Sequence, residues 1–352
     1  MTSHADRLVA VAATPTVGRR FSMSRFATAL GVLGALLLAS ILLAATVGAE
    51  PIDLLAAFSR PDSLDGRILF GLRMPRLLLA AIAGLGLSAA GAAYQGLLRN
   101  PLADPFVLGV SGGAALGGTL ALVGGGLLAL PALGGGAVAI LSFVGAALAT
   151  LLAFAAGRSN GRLDPTRTLL TGVIFNSFAA AVITLLKTVV SPEKAQELLF
   201  WLTGAIGYES YGTLALALAA TVVSTAVLAA QGNALNLLAL GDDGAASLGI
   251  DVPRVRASIF LASSLAVAVA VSLTGLVAFV GMLVPHLVRL LLGPDQRLLV
   301  PASALGGAAF LVLADTAARV LFVPLGTELP VGALTALAGG PFFLLLLRRS
   351  AG

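Results

Sequence analysis

Ten apolar stretches, each 17–24 residues long, run through this chain at 26–48, 72–95, 107–130, 133–156, 167–190, 211–231, 254–273, 276–293, 299–322 and 331–347. A helix rises about 1.5 Å per residue, so each stretch is long enough to cross a hydrocarbon core of about 30 Å. The expected fold is therefore all-α and integral to a membrane. Composition agrees: the chain is 58% hydrophobic and 11% charged, with a mean hydropathy of +1.02. A soluble chain of 352 residues could not cover that much apolar surface with so few charges. Residues 1–25 read as a cytoplasmic tail expected to be disordered, and 26–349 as a ten-helix transmembrane domain. Val47-Gly48-Ala49 resembles a signal-cleavage site, but the first apolar run is too long for an ordinary signal core and reads as an anchor.

An even number of spans puts both termini on one side. Arg19, Arg20 and Arg25 precede the first span and Arg348 and Arg349 follow the last, which makes that side cytoplasmic. Of the 21 basic residues, this arrangement leaves seven outside: Arg60, Arg67, Arg73, Arg76, Lys187, Lys194 and Arg319. Those exceptions need a reason. Arg73 and Arg76 are three apart around Pro75, so they share a helical face; they are either interfacial arginines snorkelling to headgroups or a cationic patch for an acidic external partner. Asp315 and Arg319 are four apart within the ninth span, where opposite charges can neutralise each other. Charges at membrane depth are functional candidates, and Arg319 lies near the same outer end as Arg73 and Arg76.

Two inner segments stand out. In Arg99-Asn-Pro-Leu-Ala-Asp-Pro105, two prolines four apart interrupt the helical pattern between the second and third spans. The longest inner connection holds Leu240-Gly-Asp-Asp-Gly-Ala-Ala-Ser-Leu-Gly249, where Asp242 or Asp243 could cap a short helix running through Leu248 and Gly249 would suit its C-terminal end. Such a helix is either a handle for a partner protein or an element lying in the membrane interface. His286, in Pro285-His-Leu-Val-Arg289, reads as a packed, hydrogen-bonded side chain, and Gly339-Gly-Pro341 as a packing kink.

Several chemistries are excluded. There is no cysteine, hence no disulfide or thiolate metal site, and the two histidines, His4 and His286, are far apart. The only lysines, Lys187 and Lys194, do not follow glycine, so no phosphate-binding P-loop exists. No nucleophile elbow or histidine-rich metal motif is present. The net charge of +5 reads as loop topology and not as nucleic-acid affinity.

Seven strings in order resemble the FecCD or BtuCD-type permeases of bacterial ABC importers for iron–siderophores, haem and cobalamin. They are Arg73-Met-Pro-Arg76, Gln95-Gly-Leu-Leu-Arg-Asn-Pro-Leu-Ala-Asp-Pro105, Gly109-Val-Ser-Gly-Gly-Ala114, the Gly241–Gly249 loop, Gly281-Met-Leu-Val-Pro-His-Leu-Val-Arg289, Ala314-Asp-Thr-Ala-Ala-Arg319 and Glu328-Leu-Pro-Val-Gly332. The resemblance implies a ten-transmembrane-helix permease of the BtuCD-type architecture in the bacterial inner membrane, paired with a second copy of itself. It implies two cytoplasmic ATPase subunits, which would bind ATP and Mg, and a periplasmic or surface-tethered binding protein. No cofactor is expected in this chain, membrane lipid surrounds it, and the chain itself is not expected to be an enzyme.

By the same resemblance, Arg73, Arg76 and Arg319 would dock the binding protein. Leu240, Gly241, Asp242, Asp243, Ala245, Leu248 and Gly249 would couple to the ATPases. Thr166, Thr168, Thr171, Asn176 and Ser177 of the fifth span would line the pathway, with no metal site. Cargo would be a metal chelate, a ferric siderophore before cobalamin or haem. The rival reading, a secondary transporter driven by an ion gradient, needs a titratable relay in the membrane, for which Asp315 and His286 are the candidates.

Overall fold

The computed structural model describes residues 22–48, 51–124, 136–159, 162–321 and 328–350. Most of the N-terminal tail, the Leu130-Pro131-Ala132 turn and the side chains of Arg348 and Arg349 lie outside the described residues. The long helices are α1 (Met23–Thr46), α4 (Met74–Leu97), α5 (Val110–Gly124), α6 (Ala137–Gly157), α7 (Pro165–Val189), α9 (Tyr211–Ala230), α12 (Val252–Thr274), α13 (Val280–Leu292), α14 (Gln296–Leu321) and α15 (Val331–Ser350). Shorter ones fill the connections: α2 (Leu54–Ser59), α3 (Leu64–Ile68), α8 (Pro192–Leu202), α10 (Gly232–Leu238) and α11 (Asp242–Ser247). The one strand pairing among the described residues is a two-residue antiparallel pair, β1 (Arg158–Ser159) with β2 (Arg162–Leu163).

Seven described helices are long and apolar enough to cross a membrane, α3 and α4 counting as one run over Leu64–Leu97 through a π-helical turn at Leu69–Arg73. Three more, α5, α13 and the start of α15, are apolar but shorter. Ten full-length spans are therefore not reached among the described residues. The expected eighth span, 276–293, is shortened for a visible reason. The chain leaves α12 at Gly275 (φ +67) and re-enters helix only at Val280, after Phe279 at φ +68. The unwound segment is shielded by protein, Val277 being fully buried, which is how irregular backbone is tolerated at membrane depth.

The core is built around α4, buried along almost its whole length against α14, α12 and α13. Small residues permit this. A side chain at Gly84 would collide with the carbonyl of Gly307 on α14, and one at Gly91 with the carbonyl of Gly281 on α13. In lipid no hydrophobic force drives one helix onto another, so backbone proximity and dispersion must hold the bundle. Tyr94 adds a polar tie: its buried hydroxyl donates to the carbonyl of Phe260 (3.2 Å) and lies 3.0 Å from Ser264 Oγ on α12.

Helix ends follow local chemistry. Ser22, Asp164, Ser191, Ser210 and Asp251 each accept a backbone N–H from the first turn of the helix that follows, with proline in that turn after Asp164, Ser191 and Asp251. α8 had no counterpart among the expected spans; it is an eleven-residue helix beyond the end of α7. α15 continues through Gly339-Gly340-Pro341 without a break.

Candidate functional site

The functional candidates divide between the two ends of the bundle, separated by the 24 residues of α4, a rise of about 36 Å. At the end where α4 begins, Arg76 makes a forked contact with Asp315 of α14: Nε lies 3.1 Å from Oδ1 and 3.2 Å from Oδ2, and Nη2 lies 3.0 Å from Oδ1. Its Nη1 donates to Glu328 Oε2 at 2.8 Å, and its guanidinium lies over the Tyr208 ring at 5.9 Å. Arg319 Nε donates to Asp315 Oδ2 at 3.1 Å, the (i, i+4) pair expected from sequence, and its Nη2 to Thr316 Oγ1 at 3.2 Å. Arg73 Nη1 donates to the carbonyls of Ala45 (2.7 Å) and Thr46 (3.3 Å), closing the C-terminal end of α1.

These arginines do not form an open cationic patch. Arg73 and Arg76 are 7% and 6% exposed and Asp315 is fully buried. A guanidinium at membrane depth is costly unless compensated, so the chain wraps its own carboxylates around Arg76 and Arg319. Asp315 thus sits between two guanidiniums, and Glu328 closes over Arg76 from just before the start of α15.

At the opposite end lies α11. The expected aspartate cap is corrected: the N-cap residue is Gly241, at φ +103 and without a side-chain bond, while Asp242 and Asp243 sit in the first turn where acidic groups suit the helix dipole. Gly249 closes the helix as expected, at φ +86, with its N–H on the Ala246 carbonyl (3.0 Å) and the Ile250 N–H on that of Ala245 (3.1 Å). Ala245 faces inward, whereas Leu240 and Leu248 are 67% and 57% exposed. Asp242 is otherwise engaged: its Oδ1 accepts from Arg99 Nη2 (2.8 Å) and Arg256 Nη2 (2.7 Å). Neither arginine was anticipated as its partner.

The loop from Arg99 to Gly109, which runs into α5, is folded on itself. Asn100 Oδ1 accepts from Leu102 N–H and Asp104 Oδ1 from Phe106 N–H, each at 2.9 Å. Burial pushes the Asp104 carboxyl above its ordinary range, and the Phe106 N–H draws it partly back. A short 3₁₀ turn, Pro105–Leu108, then leads through Gly109 into α5.

The five polar residues expected along the pathway are not equivalent. Thr166, capping-turn neighbour of Asp164, and Ser177 are exposed, and Thr171 is half-buried; Thr171 and Ser177 return their hydroxyls to the carbonyls of Arg167 (2.8 Å) and Val173 (3.0 Å). Thr168 is buried and donates to Asp164 O at 2.8 Å. Asn176 is a clamp: its Oδ1 accepts from Gly112 N–H (3.1 Å) and its Nδ2 donates to Phe106 O (2.8 Å).

His286 packs beside Pro101, Leu102, Met282 and Phe343, but neither ring nitrogen has a hydrogen-bond partner, against the expectation of a satisfied histidine. Its neighbour Arg289 donates to Gln95 Oε1 at 2.9 Å, tying α13 to α4. Among the described residues no three His, Cys, Asp or Glu groups are arranged to hold a metal ion.

The described residues thus form a helical bundle of apolar spans, with a charged knot at one end and a short exposed helix at the other. Residues 32–349 match the FecCD transport family, and the chain belongs to it. It is 40% identical over 289 residues to the ABC transporter permease protein YvrB of Bacillus subtilis, covering 82% of this chain and 80% of that one. It is 39% identical over 277 residues to the cobalamin import system permease BtuC of Halobacterium salinarum (79% and 72%). It is 38% identical over 284 residues to the hemin transport system permease HmuU of Yersinia pestis (80% and 83%). A solved transporter described as of the metal-chelate ABC type, in an inward-facing conformation, superposes with a TM-score of 0.77 at 29% identity, covering 92% of this chain and 99% of that one.

Proposed function

We propose that this chain is the permease subunit of a binding-protein-dependent ABC importer, which moves a metal chelate across the bacterial inner membrane by alternating access. The observation that carries this reading is α11: a short, glycine-bracketed helix presenting Leu240 and Leu248 to solvent, as a handle for a cytoplasmic ATPase subunit would. Leu240, Gly241, Asp242, Asp243, Ala245, Leu248 and Gly249 make up that coupling element. Both termini are then cytoplasmic, and the end carrying Arg73, Arg76 and Arg319 faces the binding protein. The arginines act there through their field on acidic partner residues, since Arg73 and Arg76 are buried and do not offer open guanidiniums.

The permease works as two copies around a central pathway, to which α7 contributes. Its exposed residues Thr166 and Ser177, with half-buried Thr171, are the pathway-facing groups, while Thr168 and Asn176 hold the backbone that frames them. ATP hydrolysis resides on the partner subunits, and this chain supplies no catalytic group. The cargo is a preformed chelate, so the permease need not offer metal ligands; relatives named for cobalamin and hemin support that class. A ferric siderophore stands first among the three candidates, ahead of cobalamin and haem, and binding of all three to the cognate binding protein separates them.

The ion-gradient alternative loses its main candidate, because Asp315 is held between Arg76 and Arg319 and is fully buried. The reading is tested in proteoliposomes. The permease with its ATPase subunits, binding protein and ATP should accumulate chelate without any imposed gradient. Gradient-driven uptake by the permease alone, abolished in Asp315→Asn, would overturn it.

A further inference from the structure

We propose that the segment Arg99–Gly112, the loop together with the first turn of α5, is a stiff strap that carries the displacement of α11 to α7, with Arg99 as its positioning residue. The proposal rests on the coupling role of α11 argued above and assigns the element that transmits it.

Both ends of the strap are fastened, and to different helices. At one end Arg99 Nη2 donates to Asp242 Oδ1, an oxygen that Arg256 also engages. At the other, Asn176 of α7 grips the strap twice, through Phe106 O in the loop and Gly112 N–H in the first turn of α5. Gly109, at φ +89, adds close contact: a side chain there would lie 3.1 Å from Gly172 Cα on α7.

Between its fastenings the strap has little freedom. Pro101 and Pro105 fix two backbone torsions. Asn100 and Asp104 each close a turn onto the residue two positions on, and Asn100 N–H and Ala103 N–H bond the carbonyls of Gln95 and Asn100, each at 3.1 Å. A loop that only had to reverse the chain between α4 and α5 would need none of the outward ties. Nor does stability explain Arg99, because a half-exposed ion pair contributes little. Arg99 nevertheless adopts φ +49, uncommon for a residue with a side chain, while reaching Asp242. A tether stiff along its length and anchored on two helices moves both together, and rigid elements of this kind carry coupling between distant sites.

The test uses the full transporter with its ATPase subunits and loaded binding protein. Arg99→Ala should keep the ATPase subunits bound and hydrolysing ATP at the basal rate. Chelate imported per ATP consumed should fall by about fivefold or more, the size of an ordinary inter-site coupling. Arg99→Lys should recover part of the loss.

The far fastening supplies a second measurement: Asn176→Ala should lower import per ATP in the same way with the ATPase subunits retained, and the Arg99→Ala, Asn176→Ala double variant should fall little further than either, because both cut one strap. Unchanged import per ATP in Arg99→Ala, or losses that multiply in the double variant, would overturn the strap. Release of the ATPase subunits by Arg99→Ala would also overturn it, by making Arg99 part of the partner contact. Leu248→Asp separates the two readings: retained ATPase subunits in that variant would count against the coupling role of α11 itself, whatever Arg99 does.

Discussion

Arg76 and Asp315 are 239 positions apart in sequence, yet three donor–acceptor distances between 3.0 and 3.2 Å join them in the buried heart of one end of the bundle. Removing one partner leaves the other charged and uncompensated. Asp315→Ala should therefore lower the stability of the purified permease by about 3–5 kcal/mol, read as a thermal-unfolding shift in detergent. Glu328→Gln, at a side chain 55% exposed, should cost about 1 kcal/mol or less. Equal shifts for the two variants would mean that burial does not set the strength of this knot.

The coupling element makes a different prediction. Leu248 touches water in the isolated subunit, so Leu248→Asp should leave folding intact while weakening ATPase association by about 1–3 kcal/mol. Affinity capture of the ATPase subunit, alongside the thermal-unfolding profile of the permease, separates the two effects. Full association at wild-type affinity would move the contact elsewhere.

Glycine replacements should change sign with location. Gly91→Ala drives a methyl group into the carbonyl of Gly281 and should destabilise by about 1–3 kcal/mol. Gly34→Ala, in the middle of α1 with nothing within 4 Å, should instead stabilise by about 0.5–1 kcal/mol. Paired unfolding curves decide, and a stabilised Gly91→Ala would show that α4 and α13 can separate freely.

Asp295 offers a pH test at the foot of α14. Hydrogen bonds from Arg297, joined by one from Asn236, hold its carboxyl below the ordinary range despite partial burial. A depressed carboxylate favours the folded state above its unfolded value, and the benefit disappears as pH falls through the folded value. Wild type should therefore unfold at a higher temperature than Asp295→Asn at neutral pH, and the gap should close in acid. A gap that widens in acid would reverse the assigned sign.

The local parts of this structure were legible in sequence. Apolar run lengths marked the spans, the spacing of Asp315 and Arg319 announced their pair, and Gly249 announced the end of α11. What escaped depends on chain segments distant in sequence. Nothing near Arg76 indicates that Asp315 and Glu328 close over it, so its position outside the basic-residue pattern read as exposure. The resemblance put Asn176 on the pathway, and nothing near it in sequence names its partners, Phe106 and Gly112, which lie 70 and 64 positions away. The late start of α13 was hidden because Phe279 carries no sequence sign of a left-handed backbone, unlike the glycine at 275.

That left-handed phenylalanine carries an implication for how this fold can vary. Its ring fills the space beside Gly339 of α15, where any side chain would overlap it. Positions 279 and 339 thus share one fixed allotment of volume between them. Bulk can pass from one to the other only if both change together, and a lineage that enlarges residue 339 must first shrink residue 279.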